Sequence, residues 1–319
     1  MARRTRPSAV PRSFRRTRLF VIANIVLWGV VGGWFLLQPK ERQADVSRLL
    51  GNVFDARKQV TAFDVAWDLW QLYYSDDFVR VPPRGGRTVA YAGWPEPAGF
   101  MGPDAGRVLV NDGYVVGYSD ALGNPRWAAY RAFDLELRDA PARPDEFVVD
   151  MRTSARVDPG VYSRSGYDRG HLAPNFAIAT RYGKRAQEET FRMSNICPQR
   201  HALNAGPWKR LEQKVATSYP ARFGEVWVLA GPVFGPKPER LKGRVAVPDA
   251  FFMIIVDEEG GRARAQAFLF PQDTPAEAPL EGFLVSIDEV ERRTGLDFLR
   301  DLPDDAEAAL EARAVARVW

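Results

Sequence analysis

Between positions 168 and 212 the chain places a histidine, two arginines, two asparagines and a glutamate in three short runs. The runs are Asp168-Arg169-Gly170-His171, Ser194-Asn195-Ile196-Cys197-Pro198-Gln199 and Leu203-Asn204-Ala205-Gly206-Pro207-Trp208-Lys209-Arg210-Leu211-Glu212. Cleaving a phosphodiester needs a base to activate water, a divalent cation to offset phosphate charge, and donors that hold the phosphate in line. His171 suits the base, because a neutral imidazole with an ordinary pKa near 6.5 can accept a proton at neutral pH. The amide oxygen of Asn204 is a hard ligand suited to Mg²⁺, although an asparagine ahead of Gly206-Pro207 also suits a helix N-cap. Arg169 offers a planar fork that matches a phosphate, and Glu212, three residues after Lys209, has the spacing of a surface helix pair. Residues 164–214 hold ten basic against four acidic residues, which fits a substrate groove laid over these motifs.

Pairing Cys197 with His171 would instead suggest thiol hydrolysis, but only the residue types support it. A small buried cysteine before Pro198 is the simpler reading.

The decapeptide Gly166-Tyr167-Asp168-Arg169-Gly170-His171-Leu172-Ala173-Pro174-Asn175, followed in order by the two asparagine runs, resembles the DNA/RNA non-specific endonuclease family of sugar-non-specific bacterial nucleases and endonuclease G. Weaker echoes at 227–234, 247–252 and 283–298 extend the likeness over about residues 85–300. The resemblance implies an α+β fold of the ββα-metal (His-Me finger) type with a central antiparallel sheet. It implies Mg²⁺, with Mn²⁺ as a substitute, and DNA and RNA as substrates, cleaved to 5′-phosphate and 3′-hydroxyl ends. By the same resemblance His171 deprotonates the attacking water, Asn204 binds the metal directly and Glu212 reaches it through water. Arg169 binds phosphate, Asp168 orients the loop and the metal's waters, and Asn195 shapes the pocket. Arg152 corresponds to an additional phosphate-binding arginine, and His201 is a surface residue within reach of a phosphate. Where the family commonly carries an arginine one turn after the glutamate, this chain has Ala216. The resemblance also admits a homodimer. A non-catalytic, membrane-tethered receptor for nucleic acid in uptake or envelope function is the competing class, and the intact His171, Asn204 and Glu212 count against it.

These residues need elements to hold them. Branched and aromatic runs at 107–110, 114–118, 127–133, 226–229, 251–256 and 265–270 predict strands, several separated by Gly, Pro, Asn or Asp as an antiparallel sheet requires. Pro207 predicts a helix over 207–218 with Trp208, Leu211 and Val215 on one stripe. Ser286-Ile287-Asp288-Glu289 is a capping-box pattern for a helix that Gly295 closes. Residues 301–319, acidic and alanine-rich at the start, predict a peripheral helix or tail.

At 319 residues and 46% hydrophobic content the chain can bury a large core, while one cysteine excludes an internal disulfide. One cysteine and two histidines are too few for a usual structural zinc site. Seven arginines and no acidic residue precede an uncharged run from Leu19 to Pro39. That run would span about 30 Å as a helix, the thickness of a bilayer core. It predicts an arginine-rich cytoplasmic tail at 1–18, a transmembrane signal anchor at 19–39, a helical juxtamembrane stalk at 40–84 that docks onto the domain, and a nuclease domain at 85–300. The polarity places that domain outside a bacterial inner membrane, facing the periplasm. A cleaved signal peptide is the rival, but the run is long for one and residues 33–37 carry no small-x-small site. Of the 44 basic residues, 37 remain after the seven of the tail, against 40 acidic, so the high pI of 9.2 reflects membrane orientation and not a general affinity for nucleic acid.

Overall fold

The computed structural model describes residues 12–74, 77–82, 88–99, 105–136 and 139–319. The chain divides into two compact units, Met1–Gly51 and Asn52–Trp319. In the first, a helix runs over Arg12–Leu37, so helical backbone begins inside the expected tail; Arg3, Arg4 and Arg6 lie outside the described residues. Its stretch Thr17–Leu37 has a mean hydropathy of 2.1 over 21 residues, enough to cross a membrane and also compatible with a signal sequence. Pro39 separates it from the helix Lys40–Val53, as the missing N–H and fixed φ of proline dictate.

The second unit is organised by an eight-stranded antiparallel sheet. Seven strands follow in the order Val79–Arg80, Arg262–Pro271, Ala250–Glu259, Glu225–Val233, Asn124–Phe133, Tyr114–Ser119 and Arg107–Asn111, and Leu284–Val285 also pairs with Arg262–Pro271. All six predicted strands are present, mostly longer than their apolar runs. The central strands are apolar at nearly every position because both sheet faces are covered, and the period-two pleat sends alternate residues to opposite cores. Phe251, Met253 and Ile255 thus join Trp208, Leu211, Val215 and Tyr219 of a helical run on one face. Phe252, Ile254 and Val256 join Ile287, Val290, Phe298 and Leu310 on the other. Trp208 is fully buried edge-on to Phe251 and Phe270, so its truncation to alanine should cost about 3–5 kcal/mol.

That helical run covers 201–223, six residues earlier than Pro207 predicts. Two π-turns, Asn204–Trp208 and Lys214–Ser218, alternate with α-helical turns. Pro207 cannot donate a backbone hydrogen bond, and Gly206 is non-helical at φ −100°, ψ −116°, so the chain widens there instead of starting. A Cβ on Gly206 would sit 2.7 Å from the Ala276 backbone, which fixes glycine at the kink. Asn204 therefore lies inside the run, with helical φ/ψ, and is not an N-cap.

Helix Ile287–Thr294 begins and ends as expected: Ser286 accepts the Glu289 N–H at 3.1 Å, and Gly295 closes it in the left-handed region at φ 68°. The C-terminal segment contains the helix Asp304–Glu311, but it is not peripheral throughout. Val318 and Trp319 are buried in the core beside Tyr219 and Phe223, and the Trp319 N–H donates to Gln266. Residues 52–74 belong to the same compact unit as the sheet; the sequence break at Pro82-Pro83-Arg84 falls, from Pro83 onward, outside the described residues.

Candidate active site

Asp168–His171 and Ile196–Gln199 form a two-stranded antiparallel pair, with Asp168 opposite Gln199 and His171 opposite Ile196. The helix Asn175–Glu189 intervenes, and the 201–223 run follows at once, giving a strand–strand–helix unit packed on the central sheet. Gly170 is required by this pairing, since a Cβ there would meet Gln199 Oε1 at 2.1 Å. Asn195 locks the strand exit. Its Oδ1 accepts the Ala173 N–H at 2.9 Å, and its Nδ2 donates to the carbonyls of Ala173 (2.9 Å) and Thr190 (3.0 Å). Fully buried, Asn195 acts on the backbone just beyond His171 and does not line the cleft.

A cleft of about 650 Å³ brings His171, Asn204, Glu212 and Arg169 together, with Ala216 on its wall. Four basic side chains, Arg57, Arg143, Arg169 and Lys209, line it with the single carboxylate of Glu212, an electrostatic balance that attracts phosphate. The His171 ring lies against Phe147 and Phe191, with centroids 5.5 and 5.1 Å away, and its Nε2 is buried without a hydrogen-bond partner. Burial first, and the nearby Arg143 charge second, lower its pKa to about 3, so the imidazole is neutral at physiological pH.

Asp168 settles the orientation of Asn204. Asn204 Nδ2 donates to Asp168 Oδ2 at 2.9 Å, which commits the NH₂ group and leaves the amide oxygen for a cation. The same carboxylate oxygen lies 2.8 Å from Nδ1 of His201, an otherwise exposed side chain. Glu212 Oε1 accepts from Trp208 Nε1 at 3.0 Å, but burial outweighs this bond and the Lys209 charge and raises the carboxyl to about 8. Arg169 gives Nε and Nη2 to the Pro159 carbonyl and lies over the Phe147 and Tyr162 rings, which fixes its fork at the cleft edge.

Arg152 is placed elsewhere. Its guanidinium donates to both oxygens of Asp150, to the Val110 carbonyl and to Asn111 Oδ1, and it does not line the cleft. Burial alone would raise the Asp150 carboxyl, but hydrogen bonds from Arg152 and Ser194 outweigh it and hold it at about 2. Cys197 is fully buried in the core with its thiol raised by desolvation, away from the cleft lining.

Asn175 and Arg143 are among the cleft residues that carried no assigned role in the sequence. Asn175 stands inside the decapeptide, and its Oδ1 is buried with no hydrogen-bond partner; its position in the motif was a usable signal. Arg143 sits in a proline-rich stretch with no pattern that marks it. The donor set, comprising amide oxygens at Asn204 and Asn175 and a carboxylate at Glu212, fits a hard divalent cation.

Residues 96–305 match the family model described as DNA/RNA non-specific endonuclease. The chain is 32% identical to human mitochondrial endonuclease G over 216 residues, covering 63% of this chain and 72% of that protein. It is 31% identical to a nuclease of Serratia marcescens over 218 residues, covering 64% and 79%. A solved structure of an EndoG/EndoGI complex superposes with a TM-score of 0.56 at 27% identity, over 66% of this chain and 91% of the other.

Proposed function

This chain belongs to the DNA/RNA non-specific endonuclease family of metal-dependent nucleases, and on that premise we propose that it hydrolyses both DNA and RNA in the cleft of His171, Asn204 and Glu212. The observation that carries this reading is the Asn204 amide, turned by Asp168 so that its oxygen is free in the same cleft as an unpartnered His171 Nε2. Asn204 would hold Mg²⁺, or Mn²⁺ in its place, with Glu212 and Asn175 bracing its water shell. When bound there, the ion supplies positive charge against the scissile phosphate and the departing 3′-oxygen.

The chain's own residues supply the rest. His171, neutral and packed against the Phe147 and Phe191 rings, takes a proton from water at Nε2. Arg169 and Lys209 hold the phosphate so that attack is in line. Loss of the 3′-oxygen leaves 5′-phosphate and 3′-hydroxyl ends. Arg152 serves the scaffold through Asp150 and not the substrate. Plasmid nicking with and without EDTA tests this: wild type should nick only without chelator, and His171→Ala should fail in both. Nicking by His171→Ala at the wild-type rate would defeat the assignment.

The N-terminal helix serves as an anchor with the arginine-rich end in the cytoplasm and the catalytic unit in the periplasm. The support is the arginine cluster on one side of Thr17–Leu37. Protease added to spheroplasts should digest the catalytic unit; full protection would contradict the topology.

A further inference from the structure

We infer that Arg57, supplied by a segment that precedes the family-matched residues 96–305, contacts a substrate phosphate in the catalytic cleft. Arg57 and Gln59 line the same cleft as His171 and Glu212, and the turn Ala56–Lys58 touches the stretch Lys214–Ser218, where the cleft-lining Ala216 and Thr217 bring no charge. The turn that carries them is built to hold its place. Asp55 caps the short 3₁₀ turn Ala56–Lys58 by accepting the Arg57 N–H, and Gln59 ends it in the left-handed region at φ 55°. The next side chain, Lys58, is buried, with Nζ 2.8 Å from Asn52 Oδ1 and 2.7 Å from Asp134 Oδ1. Asn52 in turn donates to the Ala221 carbonyl at 2.6 Å, which ties the turn to the end of the 201–223 run.

Arg57 is left with different surroundings. Its side chain is 59% exposed, and its side-chain ion pair is a single 3.3 Å approach of Nε to Asp55. Both outer nitrogens of the fork are then available to a phosphate strand crossing the cleft. The capped turn fixes the backbone that carries Arg57, so binding a phosphate orders only the side chain, and such a contact positions a strand without reading its bases. The reach of the cleft thus extends beyond the family's common core to the segment that follows the N-terminal helices.

This inference rests on the cleft being the active site. The test uses the full chain in detergent, with labelled duplex DNA binding measured in the inactive His171→Ala background. Arg57→Ala should weaken binding about three- to tenfold at low salt and reduce the slope of log affinity against log salt by about one. In the active protein it should raise KM with kcat little changed. Arg57→Lys should keep most of the salt slope, and Asp55→Asn, which preserves the cap but not the ion pair, should bind no more weakly than the parent. Unchanged affinity and slope in Arg57→Ala, or an equal loss in Asp55→Asn, would overturn the inference while an inactive His171→Ala left the active-site reading standing. Wild-type cleavage by His171→Ala would instead remove the active-site reading and the inference with it.

Discussion

Residues 52–74 and residues 168–212 both rely on polar side chains, and they use them in opposite ways. In the first region charge is matched wherever it is buried, the exposed tip of Arg57 being the exception. Asp68 takes Nε and Nη2 of Arg222 at 2.7 and 2.6 Å, both side chains being nearly fully buried, and Lys58 meets Asp134 at 2.7 Å. In the second, groups are left open: His171 Nε2 and Asn175 Oδ1 have no partner, and the Glu212 carboxyl is pushed up to about 8. Matched charges fix the position of elements, whereas open ones cost stability and retain the capacity to bind a cation or a proton. Substitutions in the two regions should therefore fail differently.

The largest effect is expected in the open region. His171→Ala should lower the cleavage rate about 10²- to 10⁴-fold with an unchanged or higher Tm, because it removes a buried ring nitrogen that lacks a partner. Initial rates and a melting curve on the same preparation check this; a parallel fall of both would mean that His171 is a framework residue. Asp68→Ala should show the reverse. It strands a buried guanidinium and should cost about 3–5 kcal/mol in a denaturant melt, with kcat/KM per folded molecule unchanged. Loss of activity without loss of stability would break the distinction.

Acidity sharpens the comparison further. Glu212, raised in the folded metal-free protein above its ordinary value near 4.5, should reduce stability as pH rises through about 8. His171, lowered to about 3, should reduce stability as pH falls below its ordinary 6.5. Between pH 6.5 and 8, then, Tm in chelator should fall more steeply for wild type than for Glu212→Gln. The comparison also removes the contributions of Glu291 and Glu311, raised to about 7 and 9, which both proteins share. Equal slopes would show that Glu212 is not held in its proton-bound form. The smallest effect concerns Ala216, where the family commonly has arginine. Ala216→Arg should change substrate affinity little in the presence of Arg57 and recover about threefold in Arg57→Ala, measured by salt-dependent anisotropy. A large gain in both backgrounds would mean that Arg57 does not cover that wall.

The open region was also the more legible in sequence, for a physical reason. Its groups must be specific residue types at specific spacings, so Asp168, His171, Asn204 and Glu212 stand out before any element is placed. The elements that hold them do not. Asp168–His171 and Ile196–Gln199 show no apolar alternation, and one contains proline, so nothing marks them as paired strands. The sheet was legible where its strands are buried on both faces and read as continuous apolar runs. Pro207 misled in the ordinary direction, as a first-turn residue, because the Gly206 kink that accommodates it depends on contact with the distant Ala276. The framework of residues 52–74 depends on partners 76 to 193 positions away, such as Lys58 with Asp134 and Arg264 with Gln71, and no local pattern reveals such pairs. Arg152 read as a phosphate ligand partly for the same reason: beside the neighbouring Asp150, its partners Val110 and Asn111 lie about forty residues earlier.

The central claim is that His171 and Asn204 hold different offices in one cleft, proton acceptor and metal ligand. Cleavage rate measured against Mg²⁺ concentration for wild type, His171→Ala and Asn204→Ala tests it most directly. His171→Ala should plateau far below wild type at the same half-saturating Mg²⁺, whereas Asn204→Ala should need about ten- to a hundredfold more Mg²⁺ and then regain part of its rate. An unshifted half-saturation point in Asn204→Ala, or a wild-type plateau in His171→Ala, would contradict the account.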